Sequence, residues 1–211
     1  MHSIRATRRR SILIFALGLS TAACTSEPTG PGGDASQSVQ VYKNGFVLPW
    51  GGSALVLQTG NGILIGSQTA LTDNVSGDAS VLAVLAATNA PCFAAPAGCL
   101  VSLTGNGAPD MAAYYAAGHL QFNLRLGSAA VVTSLSARGN AGGQFGTQVL
   151  NVADFNSTGF THVSIPIASL FPPTSISSVV SIPFAIYVDG TVASATVVPM
   201  VYVSDVKWTK N

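Results

Sequence analysis

Apolar and polar residues alternate along much of this chain, most regularly in His119–Leu126 (HLQFNLRL). Leu120, Phe122, Leu124 and Leu126 occupy every second position of that segment. A period of two places successive side chains on opposite faces of a strand, so the pattern predicts one buried face and one polar face. Further strands are predicted at Ser53–Gln58, Gly62–Gln68, Ala79–Ala87, Leu100–Thr104, Val131–Ala137, Thr147–Val152, Thr161–Ile167, Ile182–Val188 and Val197–Trp208.

Turn signals separate these strands. Gly60-Asn61-Gly62 and Gly105-Asn106-Gly107 are two of them, and Asp189-Gly190 predicts a hairpin turn. Charged residues make up only 8% of the chain, whereas about 25% is typical of globular domains. Val, Ile, Thr and Ser are common instead, which favours pleated strands. Short strands separated by frequent turns predict an all-β fold, an antiparallel β-sandwich.

The first residues have the pattern of an export signal. Arg8, Arg9 and Arg10 precede the apolar run Ser11–Ser20, and small residues lead to Cys24. The sequence LSTAAC resembles a bacterial lipobox, whose cysteine becomes the lipidated first residue of the mature protein. The alternative is ordinary cleavage after Ala23. We therefore expect a signal peptide over residues 1–23 and a cell-envelope location, with the chain lipid-anchored at Cys24, or secreted if Cys24 is not lipidated.

The remaining sequence divides into a tether and a domain. Residues 24–40 are rich in Pro, Gly and Ser and have no apolar periodicity, so we expect them to be a disordered tether. Residues 41–211 form the predicted sandwich domain. Cys92 and Cys99 are expected to form a disulfide in an exported protein. A metal site at these cysteines would need two further ligands nearby.

Charge and composition exclude several classes of function. Beyond residue 23 there are five basic and eight acidic residues, a net charge of −3 without a basic patch, which argues against nucleic-acid binding. No second long apolar run follows the leader, so membrane contact is expected only through the lipid. No Glu follows Glu27, and His119 and His162 are each isolated, so no catalytic residue or metal ligand set is assigned and no enzyme is predicted.

Several short motifs occur in the order found in one known type of domain. Gly118–Arg125 fits "G-x-L-x-F-x-L-R", Val163–Phe171 fits "v-x-I-P-l-x-x-l-F", and Val203–Trp208 fits "v-x-D-V-x-W". Together they resemble a jelly-roll carbohydrate-binding domain, the galactose-binding-like domain at the C-terminus of certain bacterial exo-β-glucosidases. The resemblance implies a jelly-roll sandwich of the galactose-binding-like type and a glycan ligand.

Two departures from that pattern bear on a metal ion and on the ligand. Lys43-Asn44 follows the early Tyr42, where such domains often have an acidic residue, and Phe160 stands where a Trp is usual. No cofactor is otherwise expected. A structural calcium ion is left open, with Asp205 as its candidate ligand; the simpler role for Asp205 is a hydrogen-bonded turn or edge residue.

The polar face of HLQFNLRL is the predicted ligand-binding surface. It presents His119, Gln121, Asn123 and Arg125 side by side, and planar polar groups of this kind can bond sugar hydroxyls in pairs. The alternative is a face that simply meets water.

Aromatic side chains would supply the apolar part of the site. Tyr114, Tyr115 and Trp50 are candidates to stack on a pyranose ring, or else to pack at the ends of the sandwich. Tyr42, Tyr202 and Trp208 are assigned to the core. The predicted function is a non-catalytic exported lipoprotein that binds a polysaccharide or other glycan. The alternative is a structural or adhesive envelope protein that binds protein partners.

Overall fold

The computed structural model describes residues 38–45, 47, 52–57, 64–86, 99–105, 114, 117–171, 180–192 and 197–210. At 52–57, 64, 65, 99, 105 and 181 it describes the backbone only. Within these ranges the chain is mainly strand, with one α-helical turn, α1 (Ile167–Leu170), and one 3₁₀ turn (Val152–Asp154). Neither helix in the described ranges has the length and hydropathy needed to cross a lipid bilayer.

Within the described residues, eleven strands form two antiparallel sheets. The strands are β1 (Ser38–Tyr42), β2 (Gly52–Leu57), β3 (Leu64–Ala70), β4 (Ser80–Ala86), β5 (Cys99–Gly105), β6 (His119–Leu126), β7 (Ala130–Ala141), β8 (Gln144–Leu150), β9 (Thr161–Pro166), β10 (Val180–Val192) and β11 (Val198–Thr209). The six-stranded sheet has the order β3-β4-β11-β6-β9, and β1 also pairs with β11. The five-stranded sheet has the order β2-β5-β10-β7-β8. The predicted all-β antiparallel sandwich is confirmed.

The core lies between the two sheets and is built from the apolar half of each alternating strand. Phe122 of β6 contacts Phe184 of β10 edge to face, with ring centroids 5.0 Å apart. Trp208 of β11 donates from its indole nitrogen to the carbonyl of Pro183 at 3.0 Å across the layers. Tyr42 and Trp208 are buried, as predicted, whereas Tyr202 is only half-buried. The side of each sheet that faces away from this core is called its outer face below.

Two assignments made from the sequence differ from the structure. Strand β1 begins at Ser38, so residues 38–40 belong to the sheet and not to the tether. Asp189-Gly190 is not a hairpin turn, because β10 continues through it to Val192 with a register shift against β7. The observed hairpin joins β7 to β8 through Gly142 and Gly143, whose φ angles of 57° and 79° suit a two-residue turn that glycine tolerates best.

A β-bulge interrupts β11 between Ser204 and Lys207. Asp205 lies in this bulge with φ = 46°, a left-handed conformation that Asp adopts more readily than most side chains. The bulge inserts one residue, so that Val203 on one side and Val206 and Trp208 on the other are all buried in the core. Strand β11 thereby keeps one buried face along its whole length.

Candidate functional site

The orientation predicted for β6 is confirmed by the burial of its apolar residues. Leu120, Phe122 and Leu124 are fully buried in the core. His119, Gln121 and Arg125 are half-buried on the outer face of the six-stranded sheet. Their role in ligand binding stays a prediction, since the structure gives their position only.

Asn123 differs from its neighbours, and the expectation that it lines an open groove is wrong. Its side chain is only 1% exposed. The amide nitrogen donates to Asp73 Oδ2 at 2.7 Å, and Oδ1 lies 3.0 Å from Nδ1 of His162. Both ends of the amide are therefore engaged within the protein, and Asn123 holds the loop between β3 and β4 against the sheet.

Asp73 is the residue on which that loop is anchored. It is fully buried and accepts hydrogen bonds from the backbone of Val75, from the hydroxyls of Ser76 and Ser204, and from Asn123. Burial alone would raise its pKa, but these donors stabilise the carboxylate more strongly, so that the pKa of Asp73 lies below its ordinary value. The loop thus covers part of the outer face above Asn123 and Ser204.

Asp78 lies at the other end of the same loop, and its pKa is shifted in the opposite direction. It is 2% exposed, and its Oδ2 atom has no hydrogen-bond partner. Burial, with the nearby charges of Asp205 and Asp73, raises the pKa of Asp78 despite the opposing effect of Lys43. A buried carboxylate without full hydrogen bonding is costly, so Asp78 is a source of local instability.

Arg125 is clamped between two aromatic rings. Its guanidinium carbon lies 5.3 Å from the ring centroid of Tyr202 and 6.0 Å from that of Phe160. Its Nε atom is buried without a hydrogen-bond partner. The only ion pair among the described residues joins Lys207 to Asp205, so Arg125 has no acidic partner there.

Of the three aromatic residues predicted to stack on a sugar, only Tyr114 is among the described residues. Tyr114 is buried, with the ammonium of Lys210 5.6 Å from its ring centroid, and burial raises its pKa. It therefore acts as an anchor at one end of the sandwich. Trp50 and Tyr115 lie outside the described residues, as do Cys24, Cys92 and the side chain of Cys99.

The outer face of the five-stranded sheet carries an aromatic group that the sequence interpretation missed. Tyr187 of β10 is half-buried there, and the guanidinium carbon of Arg138 on β7 lies 4.5 Å from its ring centroid. Arg138 also donates from Nε to the hydroxyl of Ser136 at 3.3 Å. The pair is held by two central strands, which fixes its position more firmly than a loop would.

Edge strand β8 extends this surface. Phe145, Thr147 and Val149 pair with Asn140, Arg138 and Ser136 of β7 and are exposed on the same face. Phe145 is 52% exposed and Val149 70% exposed. The Tyr187 face, as we call it, consists of Tyr187, Arg138, Phe145, Thr147 and Val149. In the sequence, the alternation of buried and outward-facing residues in β7 and β10 was the signal that could have revealed this face.

Asp205, the candidate calcium ligand, is already engaged on both oxygens. Oδ1 accepts from the amide nitrogen of Gln40 at 3.1 Å, and Oδ2 accepts from Lys207 Nζ at 2.7 Å. The same amide nitrogen donates to the carbonyls of Tyr42 and Val206 at 3.0 and 3.1 Å. Calcium requires several oxygens free to coordinate it. In this structure these oxygens are held in hydrogen bonds by Gln40 and Lys207; we call Gln40, Tyr42, Asp205, Val206 and Lys207 the Gln40 clasp.

Side chains that commonly bind metals do not cluster elsewhere in the described chain. It contains no group of three or more His, Cys, Asp or Glu side chains placed to hold a metal ion. Asp73, Asp78 and Asp205 lie in one region but act through hydrogen bonds and charge.

Comparison with known proteins assigns the domain. The family model "Carbohydrate binding domain 30" matches residues 38–210. No curated protein matches the chain. A crystal structure of a family 30 carbohydrate-binding module is similar over 82% of this chain and 88% of that one, with 23% identity and a TM-score of 0.50.

Two further solved structures are similar. The family 30 module of the cellulosomal cellulase Cel9D-Cel44B of Clostridium thermocellum has 21% identity and a TM-score of 0.48, over 82% of this chain and 96% of that one. A structure described as showing the promiscuous specificity of carbohydrate-binding modules from the β-sandwich superfamily has 7% identity and a TM-score of 0.51, over 82% of this chain and 63% of that one. The predicted carbohydrate-binding β-sandwich is confirmed, and the chain belongs to the Carbohydrate binding domain 30 family.

Proposed function

We propose that this protein binds a polysaccharide on the Tyr187 face, without catalysis, as an exported lipoprotein. The observation that carries the proposal is the half-buried Tyr187 ring beside Arg138, at the centre of a sheet whose edge exposes Phe145 and Val149. This combination matches what a sugar requires. An aromatic or aliphatic surface covers the apolar side of a pyranose ring, and fixed donors bond its hydroxyls.

Each side chain of the Tyr187 face would make a different kind of contact with the glycan. Tyr187 offers a ring edge and hydroxyl, and Phe145 and Val149 offer apolar area two strands away. Strands lie about 4.8 Å apart, so the distance between these groups suits neighbouring residues of an extended glycan. Arg138 lies between them and can donate to hydroxyls while it remains stacked on Tyr187.

The binding face is tested by affinity electrophoresis of the full-length chain in gels that contain soluble β-glucans. Tyr187→Ala is expected to weaken the affinity derived from retardation about five- to 150-fold, because removing a central aromatic contact costs about 1–3 kcal/mol. Gln121→Ala, on the other sheet, is the matched control and should bind like the parent chain. Loss with Gln121→Ala alone would instead favour the β6 face, and no retardation by any glycan would overturn glycan binding.

Attachment to the membrane is the finer part of the proposal. The basic cluster, the apolar run and Cys24 support it, and residues 25–37 would then separate the lipid from β1. Cell fractionation of the parent chain and of Cys24→Ala tests this directly. The parent should follow the membrane fraction and the variant should be released, because a lipid chain contributes about 0.8 kcal/mol per buried CH₂ group. Identical fractionation of the two proteins would contradict lipidation.

A further inference from the structure

Arg125 is not used by the Tyr187 face, since it lies on the other sheet. Among the described residues it lies against the aromatic rings of Tyr202 and Phe160, and no described acidic side chain pairs with it. Charges that are partly withdrawn from water are normally paired. The guanidinium of Arg125 is held in place by two rings and has no anionic partner, so it is positioned to bind an anion.

The nearby charged groups are already committed elsewhere. The carboxylate of Asp73 accepts from Asn123, Ser76, Ser204 and Val75, and that of Asp205 accepts from Lys207 and Gln40. Neither carboxylate forms an ion pair with Arg125. The positive charge of Arg125 consequently remains available on the outer face of the six-stranded sheet.

A hydrogen-bond chain orients a second polar group beside Arg125. The carboxylate of Asp73 only accepts, so the Asn123 amide must turn its nitrogen towards Asp73 and its oxygen towards His162. Nδ1 of His162 therefore carries the proton, and Nε2 of the neutral ring is left as an acceptor. His162 is exposed and pairs with Asn123, two residues from Arg125. Diagonal neighbours of this kind lie roughly 7 Å apart, about the width of one sugar residue.

We infer that this outer face carries a second binding site, in which Arg125 receives the carboxylate of an acidic sugar residue and His162 accepts a hydrogen bond from one of its hydroxyls. The planar guanidinium can bond a carboxylate through two parallel N–H groups. A sugar acid is favoured over an acidic peptide because His162 offers a polar partner for a hydroxyl on the same face. The inference rests on the carbohydrate-binding character of the family but not on the Tyr187 face.

The test measures binding of the full-length chain to polygalacturonate by isothermal titration calorimetry, with its fully methyl-esterified form as the neutral comparison. The parent chain should bind the acid form and lose about ten- to a hundredfold in affinity on esterification, because a charge-assisted pair is removed. Arg125→Gln should lose the same factor. Arg125→Lys should recover only part of it, because Lys keeps the charge but not the planar fork.

Lys210→Gln is the matched control, since it also removes a cation that lies over a tyrosine ring, 5.6 Å from the centroid of Tyr114, at a residue assigned to neither binding face. It should leave polygalacturonate binding unchanged. Equal losses in both variants, unchanged binding by Arg125→Gln, or equally tight binding of poly-aspartate would each overturn the inference. Circular dichroism of every variant reports the fold, and binding of neutral glucan in the Tyr187→Ala assay reports the proposed function separately.

Discussion

Two aspartates of one short loop show how strongly single residues depend on their surroundings. Asp73 and Asp78 bracket the turn between β3 and β4. In the structure the pKa of Asp73 is lowered and that of Asp78 is raised. The difference arises from partners distant in sequence, because Asn123 and Ser204 bond Asp73 from 50 and 131 positions away.

Asp73→Asn is expected to destabilise the domain by about 2–4 kcal/mol, since it removes a charge that several donors stabilise. Because the folded pKa is lowered, the contribution of Asp73 is present above its ordinary value of 3.8 and is lost as pH falls through the folded value. Urea unfolding at pH 7 and pH 3 measures this. The destabilisation should be smaller at pH 3, and equal losses at both pH values would contradict the assignment.

The Asp78→Asn substitution should change the free energy of unfolding in the opposite direction. Its folded pKa is raised, so the protonated form is favoured, and the associated stability is present below 3.8 and lost as pH rises through the folded value. At pH 7 the variant should be more stable than the parent, by about 1 kcal/mol. The gain should disappear near pH 3.5. A less stable variant at pH 7 would show that the carboxylate of Asp78 has a partner in solution.

At the scale of elements, the alternation of apolar and polar residues predicted most strands. Where that prediction failed, the register between neighbouring strands explains why. The β6 segment was predicted residue for residue because its period of two is unbroken. Asp189-Gly190 was misread as a turn, because a bulge within a strand and a hairpin turn use the same residue types. Strand β1 was not predicted, since Ser38 and Gln40 are polar and their place is set by pairing with β11.

The Gln40 clasp leads to a prediction about metals. Since hydrogen-bond donors already occupy the oxygens of Asp205, Tyr42 and Val206, neither EDTA nor calcium should shift the melting temperature of the parent chain. Gln40→Ala should lower the free energy of unfolding by about 1–3 kcal/mol, because it leaves buried acceptors unpaired. Differential scanning calorimetry of the parent chain with EDTA and with calcium, and of Gln40→Ala, measures both effects. A rise of several degrees on adding calcium to the parent chain would contradict this account.

The whole molecule presents two outer faces that point in opposite directions. Sequence patterning predicted the sandwich and one polar face, but not which face collects aromatic and apolar groups. That property depends on which strands become neighbours: β7, β8 and β10 assemble the Tyr187 face from segments up to 40 residues apart. Pairing order of this kind is not encoded in the alternation of any one strand.

The two faces should act independently. Substitutions far apart, without shared partners, usually have additive effects on free energy. A Tyr187→Ala/Arg125→Gln double variant should therefore lose affinity for each ligand by the same factor as the corresponding single variant. Titration with neutral glucan and with polygalacturonate checks this. Mutual dependence of the two losses would mean that both substitutions disturb one shared structure.

The position of β11 has a consequence for how the chain acquires its structure. This strand pairs with β6 along one edge and with both β4 and β1 along the other. A nascent polypeptide that has reached residue 197 still lacks the segment that unites those three strands. Assembly of the six-stranded layer therefore waits until residues 198–209 have been synthesised, and β1, β4 and β6 lack their common partner until then.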